Sequence, residues 1–210
     1  LDALGTGHFA ALTSDQIAQI TTKQLANLES ADLRAISTAN LNSLTTDQLA
    51  ALTSDQMGQL TTAQVSGLTT DQIVSLSSTD LNALGTAHFA ALSTNQAAAL
   101  TAGQIAKLES ADLRSISSAG LRAMTSDQIN ALTSDQMGQL TTAQVAALTT
   151  DQIANLTSTD LNALSTAQFA SLSTAQVAAL TASPQFNHLT TANLDALGTG
   201  HFAALTSDQI

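Results

Sequence analysis

Cysteine is absent from the 210 residues, which excludes disulfide frameworks, thiol nucleophiles and thiolate metal sites but leaves the compartment open. Tryptophan and tyrosine are absent as well, and the five phenylalanines are the only large aromatics. Little is left from which to build stacking platforms for sugars, bases or flat cofactors. Positive charge is scarce: 5 Lys+Arg stand against 16 Asp+Glu, a formal net charge of −11. Binding to phosphate backbones rests on clustered Lys and Arg, and none cluster here, so nucleic acid is excluded as a partner. Apolar runs are only a few residues long, which rules out a membrane span. No basic-then-apolar leader precedes Leu1, so any targeting peptide is expected outside these residues. With 44% hydrophobic and only 10% charged residues, the chain is neither a charge-rich disordered tail nor of ordinary globular composition.

What is present is a repeat. An eight-residue unit, L-T-[ST]-[DA]-Q-[ILVF]-x-x, recurs from Leu4 at every eighth position to Leu180 and resumes at Leu189, Leu197 and Leu205. The first position departs from Leu only at Ile20, Ile36, Ile116 and Met124, which keep its bulk. It is therefore an interior position. Five residues on comes a second large apolar residue, as in Phe9, Ile17, Leu25, Leu33, Met57, Val65 and Ile73, with Ala97 as a departure.

Spacing discriminates among the secondary structures. In a half-buried strand, residues five apart lie on opposite faces, so the two apolar positions cannot share a core. One continuous helix advances its apolar stripe by about 80° per octad and winds it around the whole surface, so a long coiled coil fails too. One short helix per octad, broken at each Thr/Ser pair, satisfies both positions. In Leu52-Thr53-Ser54-Asp55-Gln56-Met57, Thr53 is placed as N-cap and Gln56 as its reciprocal partner at N3. Leu52 and Met57 then form the apolar staple. Asp55 falls in the first turn, where the helix dipole favours a carboxylate. Which hydroxyl of the pair caps is ambiguous by one residue, and the first is the preferred assignment.

Such helices are about six residues long, well below the roughly 12–15 needed for even marginal stability alone. Each must lean on others, which is the logic of a solenoid. The expected fold is an all-α superhelix over residues 1–210 as one continuous unit, with Leu and Ile inside and Thr/Ser and Asp outside. Each octad is expected to pack on its sequence neighbours. Regular large apolar residues argue against a disordered low-complexity tract.

A longer order overlies the octads. L-E-S-A-D-L-R occurs at Leu28–Arg34 and Leu108–Arg114, and L-T-S-D-Q-M-G-Q-L-T-T-A-Q-V at Leu52–Val65 and Leu132–Val145, each pair 80 residues apart. The segment Leu1–Phe9 recurs with changes at Leu81–Phe89 and Leu161–Phe169. Phase slips by one residue at Thr181–His188, where Ser183 reads as an N-cap, Pro184 as N1, and Phe186 as the occupant of the displaced core position. Leu1–Ile17 and Leu194–Ile210 are identical. The expectation is a window from a longer array, or a subunit whose ends meet those of its neighbours.

Candidate sites are few. His8, His88 and His201 replace the repeat Gln, but they lie 80 or more residues apart without a second ligand at i+3 or i+4. A substitute for the capping Gln is favoured over a metal row. Asp47, Asp55, Asp71, Asp127, Asp135 and Asp151 could attract calcium, yet no Gly-assisted loop accompanies them, and dipole and solubility roles are favoured. Thr61-Thr62, Thr69-Thr70, Thr141-Thr142 and Thr149-Thr150 could present flat hydroxyl ladders of the kind that bind ice, although capping already accounts for them. Arg34, Arg114 and Arg122, near Glu29 and Glu109 or exposed alone, are expected to contribute little. No nucleophile–base pattern, phosphate-binding Gly loop or H-E-x-x-H occurs. The expectations are no catalytic site, no cofactor and no metal site.

The run Leu132–Leu156, L-T-S-D-Q-M-G-Q-L-T-T-A-Q-V-A-A-L-T-T-D-Q-I-A-N-L, resembles the Thr/Gln/Ala-rich octapeptide arrays of very large secreted or surface repetitive proteins of bacteria, adhesin-like exoproteins among them. The resemblance extends over nearly the whole chain and implies an extracellular structural or adhesive role, with no residue-level function. The leading expectation is a non-catalytic structural solenoid, either a spacer or the building unit of an extracellular filament or sheath, whose partners are itself or adjoining repeats. The alternative is a surface-binding module acting through its Asp or Thr rows.

Overall fold

The computed structural model describes residues 4–181 and 184–203, and every regular element among them is helical. The α-helices run in chain order from α1 (Thr6–Ala11) to α24 (Thr199–Ala203), nearly all of four to six residues, with one 3-10 helix at Pro184–His188. The expected all-α solenoid, one short helix per octad, is the fold.

Each helix is ended by its own repeat. After α7 (Ser54–Gln59), Leu60 turns to φ −55°, ψ 149°, and Thr61 stays extended at φ −76°, ψ 154° before α8 (Thr62–Ser66) begins. Two extended residues make the corner. No described residue, glycine included, has a positive φ, so the corners need no glycine, and leucine can occupy one and bury its side chain there. Leu52 is 4% exposed and Met57 0%, and the pattern holds along one continuous core from Phe9 to Leu197.

The packing partner differs from expectation. Each helix lies chiefly against the third one along, as α4 (Ser30–Ala35) does on α7 and α7 on α10 (Ser78–Ala83). Hydrogen bonds between turns join residues 25 to 31 apart, and 32 apart across the phase slip, so a superhelical turn takes between three and four octads. Consecutive helices are turned away from each other by the extended corner, and in the central turns the apolar stripe of each helix is covered from above and below. Ala97, the small residue at an otherwise large position, is 1% exposed. It faces Gly120, where a Cβ would come within 2.9 Å of the Ala97 Cβ. Two departures from the repeat thus meet where α12 (Thr94–Ala99) packs on α15 (Ser118–Ala123).

The phase slip is absorbed locally. Helix α22 (Thr174–Thr181) runs to eight residues, and the following octad forms the 3-10 helix instead of an α-helix. Ser183, the expected N-cap, lies outside the described residues. Phe186 is partly buried against the core. Among the described residues, no helix is long and apolar enough to cross a membrane.

Candidate functional site: a cross-turn amide ladder

The repeat Thr and Gln form the capping box that the octad encodes. The Gln56 N–H donates to Thr53 Oγ1 at 3.2 Å, and the Thr53 N–H donates to Gln56 Oε1 at 2.8 Å. The first hydroxyl of the pair is therefore the cap. This leaves the Gln56 amide nitrogen unspent, and the solenoid uses it: Nε2 donates to the carbonyls of Leu25 at 2.8 Å and Leu28 at 2.7 Å, 31 and 28 residues earlier. Both oxygens lie at the C-terminal end of α3 (Thr22–Ala26), where helical carbonyls run short of partners; the Leu25 oxygen also accepts from the Leu28 N–H at 3.0 Å. One side chain thus caps the start of its own helix and the end of a helix in the turn before.

The arrangement repeats with the same spacing. Gln64 reaches Leu33 and Ile36, Gln96 reaches Val65 and Leu68, Gln136 reaches Ile105 and Leu108, and Gln144 reaches Leu113 and Ile116, all at 2.8–3.0 Å. These glutamines are 2–5% exposed. A buried amide is tolerable because its donors and acceptor are all paired. The sequence carries a signal for this second role. A capping box accepts Glu as readily as Gln, and the dipole favours Glu, yet Glu never takes the position. Only the amide can donate to the carbonyls of the previous turn.

Histidine substitutes for both ends of the amide. Nδ1 of His88 accepts from the Gly85 N–H at 3.1 Å, and Nε2 lies 2.8 Å from the Leu60 carbonyl. Those bonds require the neutral imidazole with its proton on Nε2. His201 repeats the arrangement on Gly198 and Leu172, and His8 makes its local half with Gly5. His88 and His201 serve the ladder, each in its own turn, and His8 serves only its own cap. Among the described residues, no three His, Asp or Glu side chains converge as a metal site needs.

Asp is the third variant. Asp80 accepts from the Ser77 N–H at 3.0 Å and hydroxyl at 2.7 Å, and Asp160 accepts from the Thr157 hydroxyl at 2.6 Å. Asp32 and Asp112 follow N-cap glutamates, Glu29 and Glu109, which make no side-chain cap bond. Asp112 is 4% exposed. Burial first, then the charge of Glu109, raises its carboxyl from 3.8 to about 6, and any positive charge on His88 acts the other way. By contrast Asp47, Asp55, Asp71, Asp127, Asp135 and Asp151 are exposed in first turns, where the helix dipole favours them. Arg34, Arg114 and Arg122 are exposed too, and Arg122 Nη1 donates to the Ala147 carbonyl at 3.3 Å.

Among the described residues, none packs beneath the first turn. Gln16 and Gln24 keep their capping bonds, yet both are exposed. Among the described residues nothing accepts from their Nε2. An open hollow on this face is lined by Gly5, Lys23, Gln24, Glu29 and Asp32, among others.

Self-capping octads tied turn to turn by amides define a structural repeat protein of the α-solenoid class. Residues 25–62, 76–108, 105–142 and 154–184 match the model of the ALTTAQ repeat. Together they cover more than half of the chain, which belongs to the ALTTAQ repeat family. A search of curated proteins finds no match.

Proposed function

We propose that this chain is a non-catalytic, extracellular structural element, a spacer or the building unit of a filament or sheath, in which one turn of repeats docks on the next through its glutamine amides. The observation that carries this reading is the contrast between Gln24 and Gln56. Both cap their own helices through Oε1. Gln56 spends its NH₂ on two carbonyls of the preceding turn, whereas the NH₂ of Gln24 is exposed and faces no described acceptor. The chemistry that fits it is a row of main-chain carbonyls eight residues apart, backed by leucines, which is what a second copy of the same repeat presents. The last described turn offers such a row at Leu189 and Leu197, after the 3-10 helix and α23 (Thr191–Asp195). The extracellular placement rests on the resemblance to secreted and surface arrays.

Sedimentation velocity and electron microscopy of the 210-residue protein test the assembly. Concentration-dependent linear oligomers are expected. The double substitution Gln16→Glu and Gln24→Glu, which keeps the capping acceptor but removes the donor, should reduce them to single copies. Monomers at high concentration in the unsubstituted protein would leave only the spacer.

A further inference from the structure

The register of the ladder places the Leu84 carbonyl opposite Asp112, since ladder side chains reach 28 residues back, as Gln136 does to Leu108. A side chain of the same length spans that gap elsewhere: Asn40 Nδ2 donates to the Leu12 carbonyl, 28 residues earlier, at 2.6 Å. Asp112 has no such donor while ionised, because a carboxylate only accepts. Its N-cap, Glu109, offers no hydroxyl for it to accept from, and among the described residues no hydrogen bond reaches its carboxylate.

We propose that Asp112 is a proton-operated clasp: on taking up a proton from solvent, its O–H donates to the Leu84 carbonyl and supplies the cross-turn bond that Gln supplies elsewhere.

The surroundings favour the neutral acid. Helix α14 (Ser110–Ser115) packs on α11 (Thr86–Ala91), which brings His88, and on α17 (Ser134–Gln139), which brings the exposed Asp135. Its own stretch carries Glu109 and the exposed Arg114, with Lys107 just before it and Arg122 on α15. Besides burial, the charge of Glu109 raises the Asp112 carboxyl and any positive charge on His88 lowers it, and the net direction is upward. Because the folded value, about 6, lies above the ordinary 3.8, this group's contribution to stability is full below the ordinary value. It is lost as pH rises toward the folded one. The clasp therefore closes in mildly acidic surroundings and opens in neutral ones. Asp32, 9% exposed behind Glu29, holds the equivalent place one block earlier.

Thermal unfolding of the 210-residue protein, D112N and D112A at about pH 7.5 and about pH 4.5 tests this, with a carboxyl carbon NMR titration of Asp112 alongside. D112N carries a permanent donor of the length seen at Asn40. At the higher pH it should melt above the unsubstituted protein by about 2–6 °C. The two should converge at the lower pH, and D112A, neutral but without a donor, should fall below D112N at both. If D112A matches D112N, charge removal alone explains the effect and the clasp is overturned. A constant gap between D112N and the unsubstituted protein across pH, or an Asp112 titration midpoint in the ordinary carboxylate range, overturns it as well.

Discussion

The first turn and the central turns are built from the same octad, yet the same side chain does different work in each. Gln24 and Gln64 accept from their N-cap N–H groups at the same 2.9 Å. Gln24 is exposed, while Gln64 is 2% exposed and donates to Leu33 and Ile36 at 2.9 Å each. The local half of the bond set is thus a property of the octad, and the cross-turn half is a property of the stack. Helices this short do not persist alone, so the stack is what holds the fold. The buried amides tie it in register as well as in contact.

The contrast is broken most sharply by removing the amide while keeping its bulk. Gln64→Leu strands the Thr61 N–H and the Ile36 carbonyl in a buried site and removes the second bond of the Leu33 carbonyl, which keeps the Ile36 N–H at 3.2 Å, at about 2–4 kcal/mol for the unsatisfied groups together. Gln24→Leu loses only a local cap with water at hand, about 0.5–1 kcal/mol. Denaturant unfolding of the two variants separates these outcomes, and equal losses would mean that the cross-turn bonds contribute nothing. A smaller effect is expected where turns meet through backbone. A Cβ at Gly58 would lie 2.7 Å from the Ala83 carbonyl oxygen, and the equivalent Gly138 repeats the contact at 2.8 Å on Ala163. Gly58→Ala should therefore cost about 1–3 kcal/mol through overpacking. Gly103→Ala, in α13 (Ala102–Ile105) with nothing within 4 Å, should instead gain up to about 1 kcal/mol from helix propensity. The sign difference, read from melting temperatures, distinguishes a contact between turns from a purely local position.

What was legible in the sequence follows the same division. The Leu52 and Met57 core pair, the Thr53–Gln56 box and the single helix per octad depend on residues within eight of one another, and the octad encodes them directly. The number of octads per turn depends on small corner angles accumulated over three helices, and no local pattern states it. Without that number the partner of Gln56 could not be placed at Leu25 and Leu28. The pairing of Ala97 with Gly120 was hidden for the same reason, because only the turn brings the two small residues together. The histidines were legible only by half. Their capping role follows from the octad, and their hold on Leu60 and Leu172 from the stack.

The smallest effect supplies the control for this division. Thr21 and Thr61 cap α3 and α8 in the two regions, accepting from Gln24 and Gln64 N–H groups at 3.3 and 3.1 Å. Each cap is formed by residues three apart, so it should be worth the same wherever its octad sits. Thr21→Ala and Thr61→Ala should both cost about 1 kcal/mol, measured by denaturant unfolding. Hydrogen exchange should show where each loss is felt. Opening of α3 exposes a helix that already borders solvent, so the loss of protection there should stay within the first turn. Opening of α8 releases Gln64 from Leu33 and Ile36, and protection should fall one turn back as well. If protection instead falls only in α8, the turns open independently, and the ladder gives contact without cooperativity.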